Sequence, residues 1–412
     1  MPDPLDVMMQ EMVFNISSLL SAYYSCRRGK RNSFYALEFE HNYERNLYTL
    51  HNDLVSKKYT IGRSVCFVIT YPTLREIFAA NFRDRVVHHL LISHIEKDID
   101  KTFIYNSLAC RKEKGGILGI RRLRKDINKI TNNKQTNAYY LKLDIQSFFY
   151  TIDKNILYEL LSEKVARLNF SQKDKEDLLW LSKKIIFHNP CTNYIQKGSL
   201  DALKKLPKNK SLFTTPPDKG LPIGNLTSQF FANVYLNEVD QFIKRKLKVK
   251  YYLRYADDML FLSRDMEELR DIEEEVRKFL HKKLKLKIKD NKTKYASVYS
   301  GIDYLGYIVT PDYILSRDRV VNNFKKKLHY FNKGFLINRR LCMEEVVPLH
   351  DPLTQEEIED ICASVNSTFG HLKWANSFSL RQNLYRKSFG ILTKYLEPQG
   401  NLESFRPRKP SP

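Results

Sequence analysis

The apolar positions of this chain change period several times along its length. Leu5, Met8, Met9, Met12, Val13, Ile16, Leu19, Leu20 and Tyr23 recur at helical spacing, which predicts an amphipathic opening helix over 5–24. A basic break, Arg27-Arg28-Gly29-Lys30-Arg31, ends it. The pattern then reads as helix to about Lys57, strand near 65–70 and helix from about 74 to 100. Residues 123–130 read as a short helix feeding Tyr139-Tyr140-Leu141-Lys142-Leu143-Asp144-Ile145, whose alternation is that of a strand ending in an aspartate. Between 187 and 220 the apolar period lapses while Pro190, Pro207, Pro216 and Pro217 accumulate, which predicts a long surface insertion. Helix returns over 226–247. Two short β-type runs follow in 251–262, with Asp257 and Asp258 at the tip between them.

Residues 265–294 are acidic in their first half and basic in their second, from Arg277 through Lys289. That order suits a helix macrodipole, and a basic edge facing nucleic acid or an incoming triphosphate is the other reading. Beyond about 310 the chain is predicted to be helical, with a break at 348–354 and basic clusters Lys325-Lys326-Lys327 and Arg339-Arg340 suited to gripping the phosphates of a duplex. Pro398, Pro407, Pro410 and Pro412 mark the end as a flexible tail.

With 412 residues, two to three structural units are expected. A hydrophobic content of 42% excludes disorder over most of them. The net charge of +22 points to a polyanionic partner, nucleic acid ahead of a membrane surface. No apolar run approaches ~18 residues and the start lacks a basic-then-apolar signal layout, so no membrane association and a cytoplasmic protein are expected. Six scattered cysteines without a Cys-x-x-Cys pair signal neither zinc ribbon nor disulfide framework. His88-His89 is the single adjacent histidine pair, and on a helix the two cannot share a face.

The chemistry sits in the aspartates. Like charges on a tight hairpin repel at a cost of several kcal/mol unless a cation lies between them, so Asp257 and Asp258 call for one. Alone, the pair also fits a solvated turn. Asp144 changes the balance, because a strand-end aspartate beside a hairpin Asp-Asp is a layout that holds two Mg²⁺ ions for in-line phosphoryl transfer. The chemistry implied is nucleotide addition.

On these residues the chain resembles the reverse transcriptases, whose aromatic-x-Asp-Asp hairpin matches Tyr255 to Asp258 and whose upstream Asp-x-x-x-x-aromatic segment matches Asp144 to Phe149. Between them lies Gly220-Leu221-Pro222-Ile223-Gly224-Asn225-Leu226-Thr227-Ser228-Gln229. Most members carry glutamine at Ile223 and Ser-Pro at Ser228-Gln229, whereas the form present here is similar to the reverse transcriptases of diversity-generating retroelements. Further matches are Arg75-Glu76-Ile77 with Phe82 to His89, Ser107 to Arg111 with Lys114-Gly115-Gly116, Phe187-His188-Asn189-Pro190 with Pro216-Pro217, Ile302 to Tyr307, and Gly370 to Ser377.

The resemblance implies an α+β right-hand polymerase with an N-terminal helical extension (1–60), fingers (61–138), a palm of antiparallel strands backed by helices (139–310), a helical thumb (311–397) and a tail (398–412). It implies two Mg²⁺ ions on Asp144, Asp257, Asp258 and the Ile145 carbonyl, and Phe149 as a steric gate against ribonucleotides. Arg75 and Arg85 would lie near triphosphate and template, Ile223 and Gly224 would contact the nucleotide, and Lys292 would protonate pyrophosphate, a structural salt bridge being its other reading. Relatives carry a lysine just before the position of Arg75, and this chain does not. The activity implied is error-prone copying of a template RNA into cDNA for a variable gene, with template RNA, DNA duplex, dNTPs and a small basic oligomeric helical accessory protein as partners. Its rivals are a defence-associated or group II intron-like reverse transcriptase, against which the Ile223 loop argues, and a decayed RNA-binding scaffold, against which three retained aspartates argue.

Overall fold

The structure, a computed structural model, describes residues 12–29, 33–70, 73–198, 200–338, 345–350 and 352–408. Its first described helix is Ile16–Arg27, and the part of the expected opening helix before residue 12 lies outside the described residues. Asn15 stops it from extending further back, because its side chain accepts the Ser18 N–H at 2.7 Å as an N-cap. Leu5, Met8 and Met9 lie outside the described residues. Helices Phe34–Glu40 and Tyr43–Val55 follow and pack with the first against helix Phe82–Asp100.

The stretch from 74 to 100 is not one helix. Strand β1 (Ser64–Ile69) pairs antiparallel with β2 (Arg75–Ala79), Ile69 opposite Arg75, and helix starts only at Phe82. Asn81 caps it by accepting the Asp84 N–H at 2.9 Å. The apolar run Ile77–Ala80 satisfies either period, and that cap is what divides it.

Helix Gly116–Ile130, longer than expected, leads to β3 (Tyr139–Asp144). Helices Phe148–Thr151, Lys154–Ala166 and Gln172–Phe187 come next. The segment after Phe187 is only partly a surface insertion. Its strand β4 (Tyr194–Gln196) runs parallel to β1, and buried Glu76 on β2 accepts from Ser211 Oγ at 2.6 Å and Leu212 N at 2.8 Å. Burial raises the Glu76 pKa and those two bonds oppose the rise.

Helix Leu226–Gln241 continues through a π-helical turn at Phe242–Lys246 into β5 (Tyr251–Tyr255) and β6 (Asp258–Ser263). With β7 (Lys294–Ser297) these strands form an antiparallel sheet of order β5-β6-β3-β7. Leu141, Leu143, Tyr252, Met259 and Phe261 pack on one side with helices Leu226–Gln241 and Met266–Leu284. Tyr140, Leu253, Leu260 and Leu262 pack on the other with helix Gly116–Ile130 and the hairpin of β8 (Ile302–Tyr304) and β9 (Tyr307–Val309). Both faces are covered, so the strands carry nearly continuous apolar runs.

The remainder is less helical than its composition suggests. Strand β10 (Ile314–Ser316) joins β9, and helix Asp318–Asn332 precedes a hairpin of β11 (Phe335–Asn338) and β12 (Glu345–Pro348). Helices Gln355–Leu372, Phe378–Ser388 and Leu392–Tyr395 lead to a last hairpin of β13 (Leu396–Gln399) and β14 (Ser404–Pro407). This hairpin replaces most of the expected tail. Phe405 is buried against Phe369 and Phe389, and Asn366 holds its backbone by accepting from N at 2.6 Å and donating to O at 2.8 Å. Arg339 and Arg340 lie outside the described residues. Among those described, no helix is long and apolar enough to cross a membrane.

Candidate active site

Three aspartates meet at the end of the central sheet. Asp144 and Asp258 are direct cross-strand partners on β3 and β6, and Tyr255 pairs with Asp258 to close a hairpin whose tip is Ala256-Asp257. Ala256 holds a left-handed φ of +53°, which costs a non-glycine residue roughly 1–2 kcal/mol. A buried cation stabilises this turn. Arg254 is fully buried, forms a two-pronged ion pair with Asp240 and donates from Nη1 to the Ala256 carbonyl at 3.0 Å. Ser107, Asn233 and Tyr252 complete the network.

The charges repel as the sequence requires. Burial, then Asp258 and Asp144, push the Asp257 carboxyl up to about 6. Burial also raises Asp258, with Lys142 opposing at 3.7 Å. Asp144 takes a different counter-charge, the Lys292 ammonium at 2.7 Å. Burial works to lower the Lys292 pKa, but the hydrogen bond to Asp144 and the three carboxylate charges together hold it above its ordinary value. In these rotamers no three acidic, histidine or cysteine side chains among the described residues enclose a metal ion. The donor chemistry nevertheless fits one, because the carboxylates are hard oxygen ligands and two of them already hold an ammonium near.

An open cleft of about 1700 Å³ gathers Arg75, Asp144, Ile145, Phe149, Ile223, Asp257, Asp258 and Lys292. Ser147, at φ +48°, turns the chain out of β3 into the short helix that seats Phe149. The Phe149 carbonyl accepts the Leu221 N–H at 2.7 Å, and the Ile223 carbonyl accepts the Phe78 N–H at 2.9 Å, so the loop is tied to both neighbours. Gly224 stands behind it at φ +121°, where a Cβ would fall 2.7 Å from Ile77 Cγ2. Asn225 accepts the Ala80 N–H at 3.1 Å.

Other expected residues lie elsewhere. Arg85 does not line the cleft, since its Nε donates to the Ala80 carbonyl at 2.7 Å and burial lowers its pKa. Lys325, Lys326 and Lys327 sit on helix Asp318–Asn332 outside it, Lys327 donating to Ser364 at 3.1 Å. Sequence reasoning missed Lys142, Lys210, Leu305 and the Arg254–Asp240 pair, whereas Lys289 belongs to the basic half of 265–294 for which an edge facing nucleic acid or a triphosphate was one reading. An arginine inside an otherwise apolar strand was the available signal, because such a charge demands a buried acid.

Comparison with known proteins follows this geometry. The family model described as reverse transcriptase (RNA-dependent DNA polymerase) matches residues 71–309, more than half of the chain and all of the cleft. The chain belongs to the reverse transcriptase family. Its class is RNA-directed DNA polymerase, its mixed helix-and-sheet fold is that of a right-hand polymerase, and this family uses divalent metal ions. Protein YkfC of Escherichia coli strain K12 is 23% identical over 295 residues, 63% of this chain and 70% of that protein. The retron Ec73 reverse transcriptase of Escherichia coli is 26% identical over 138 residues, 32% of this chain and 35% of that enzyme. Among solved structures, apo telomerase from Candida tropicalis aligns with a TM-score of 0.46 and 10% identity, over 81% of this chain and 57% of that one.

Proposed function

We propose that this reverse transcriptase copies a template RNA into error-prone cDNA that diversifies a variable gene. The observation that carries the polymerase site is the direct pairing of Asp144 with Asp258 beside Asp257, on the floor of one open cleft. Asp144, Asp257, Asp258 and the Ile145 carbonyl would hold two Mg²⁺ ions, which supply a clamp on the attacking and leaving oxygens of phosphoryl transfer. Phe149 lies under the sugar and excludes a 2′-hydroxyl. Arg75 offsets triphosphate charge. Lys292 passes a proton to the departing pyrophosphate, a role that requires its release from Asp144, because that contact and the carboxylate charges hold its pKa above the range that suits an acid at neutral pH.

The mutagenic part rests on Ile223. Where most reverse transcriptases offer a polar glutamine to the nucleotide, this cleft presents an aliphatic side chain packed near Phe78 and Tyr150. An isoleucine supplies bulk without a hydrogen bond, and loss of such a positioning contact removes ~1–3 kcal/mol of discrimination. A small basic helical accessory protein and cytoplasmic action belong to the same reading.

Primer extension on a defined RNA template with Mg²⁺ and dNTPs, followed by sequencing, tests it. Wild type is expected to extend with errors concentrated at template adenines, while Asp257→Ala with Asp258→Ala gives no product. Accurate extension would keep the enzyme and discard the diversifying role. No extension, with cognate RNA and accessory protein supplied, would favour the RNA-binding scaffold.

A further inference from the structure

The catalytic cleft has a side branch. A second, open pocket of about 910 Å³ shares Gln146, Ser147, Tyr150 and Asn209 with it, so the two adjoin across these four residues. Lys208 and Lys219 line the branch from the segment before the Ile223 loop, and Lys285 and Lys287 line it from the other wall. Lys210 and Lys289 carry the row on into the cleft.

The backbone explains the placement of these lysines. After helix Met266–Leu284 ends at Lys285, with φ +53°, the chain alternates buried Leu284, Leu286 and Ile288 with outward Lys285, Lys287 and Lys289. This rail is bonded to the catalytic strand: Gln146 N donates to Lys287 O at 2.9 Å, and Lys289 N donates to Asp144 O at 2.8 Å. On the opposite wall Lys219 is fixed by a β-bridge to Asp153, and the next residue, Gly220, donates to Ile152 O at 2.8 Å.

Charge and shape together select the ligand. No aspartate or glutamate among the described residues lines the branch, and none of these six lysines has an ion-pair partner there. Ammonium groups gathered on facing walls repel one another and contribute nothing to stability by themselves. The branch is cationic and leads to three carboxylates, a polarity that suits an anion travelling with a divalent metal. A single nucleic-acid strand is a poorer fit, because strand tracks add aromatic faces for stacking and the sole aromatic here, Tyr150, is buried.

We propose that the branch is a polyphosphate passage, along which deoxynucleoside triphosphate reaches the cleft and pyrophosphate leaves it. The inference rests on the polymerase reading of the cleft. Lys208, Lys219, Lys285 and Lys287 draw the phosphates in, and Lys210 and Lys289 hand them to the aspartate end.

Steady-state primer extension by the full chain tests this with two double variants, Lys285→Gln/Lys287→Gln and Lys208→Gln/Lys219→Gln. The dNTP KM is expected to rise by about five-fold in each and further in Lys285→Glu/Lys287→Glu, with the effect shrinking in high salt. Both kcat and the Kd for template–primer should stay within about two-fold of wild type, since these lysines touch neither the reacting atoms nor a strand. Pyrophosphate inhibition should weaken in parallel with the KM change. An unchanged KM overturns the passage, and so does an equal loss of template–primer affinity, which would make the branch a strand track. If wild type itself fails to extend, the polymerase reading is what has failed. Equilibrium binding of magnesium tripolyphosphate then still judges the lysines: weaker binding by the variants supports the passage, and equal binding overturns it.

Discussion

Arg254 Nη2 lies 2.7 Å from Asp240 Oδ2 with both side chains sealed from solvent, and the same guanidinium donates to the Ala256 carbonyl at the tip of the catalytic hairpin. Breaking a buried pair by removing one partner costs roughly 3–5 kcal/mol, because the other charge is stranded. Asp240→Asn and Arg254→Met are therefore expected to lower the denaturation midpoint sharply, and Arg254→Lys should rescue little because an ammonium cannot make the fork. The double variant Asp240→Leu/Arg254→Met separates fold from positioning. It should regain much of the stability while primer extension stays low, and full activity in that variant would show that the Ala256 contact does not position the hairpin.

Asp257 makes metal-free stability depend on pH. Its folded pKa is raised from 3.8 to about 6, so the folded state binds the proton more tightly than the unfolded chain does. The penalty is absent below about pH 4, grows as pH rises through 6, and is complete above it, where it amounts to something on the order of 3 kcal/mol. In chelator at pH 8, Asp257→Asn should unfold at a higher temperature than wild type, with the gap closing near pH 4, while primer extension is lost. Equal midpoints at pH 8 would show that the aspartate carries no such burden.

Lys292 competes with metal for Asp144. Its side chain is 53% exposed, so the pair contributes no more than about 1 kcal/mol. Lys292→Met should lower the Mg²⁺ concentration for half-maximal rate by up to about five-fold, since one competitor is gone. The maximal rate should fall by about 10²-fold through loss of the proton donor. A fall in rate without any change in metal requirement would deny the competition.

Phe149 is predicted to read the sugar. Its ring is half-buried, edge-on to Phe148 at a centroid distance of 5.4 Å, and faces the cleft. Phe149→Ala should incorporate ribonucleotides readily while leaving dNTP extension measurable. Unchanged sugar discrimination would reduce the ring to packing.

Ile223→Gln should restore a polar contact to the nucleotide. Misincorporation on an RNA template is expected to fall by about ten-fold, the lower part of the range for one positioning contact. An unaltered error spectrum in sequenced products would place infidelity elsewhere in the cleft.

The site was more legible in the sequence than the fold around it. Asp144, Asp257 and Asp258 stand where strand alternation meets a hairpin, and strand period alone brings them to one end of the sheet. Arg75, Phe149 and Ile223 reach the same cleft from three other segments, which their motifs had linked. Arg85 did not, because its motif fixes a helix position and says nothing of which way the guanidinium turns. Hairpins were the features most easily missed: β13 and β14 lie in a Pro-bearing stretch with little apolar signal, and Phe405 is held by packing with Phe369 and Phe389 from distant helical segments. The surface insertion expected over 187–220 is only partly one because its anchors are tertiary, above all Glu76 reaching Ser211 and Leu212.

The β8–β9 turn faces two ways. Leu305, at φ +50°, borders the catalytic cleft, while Gly306, at φ +90°, lies against His371 of helix Gln355–Leu372, whose ring stacks on Tyr307 at 4.1 Å and whose carbonyl accepts the Tyr307 hydroxyl at 2.9 Å. The left-handed φ at 306 favours glycine, and a Cβ there would fall 3.2 Å from His371 Cε1. The turn therefore ties the edge of the catalytic cleft at Leu305 directly to helix Gln355–Leu372.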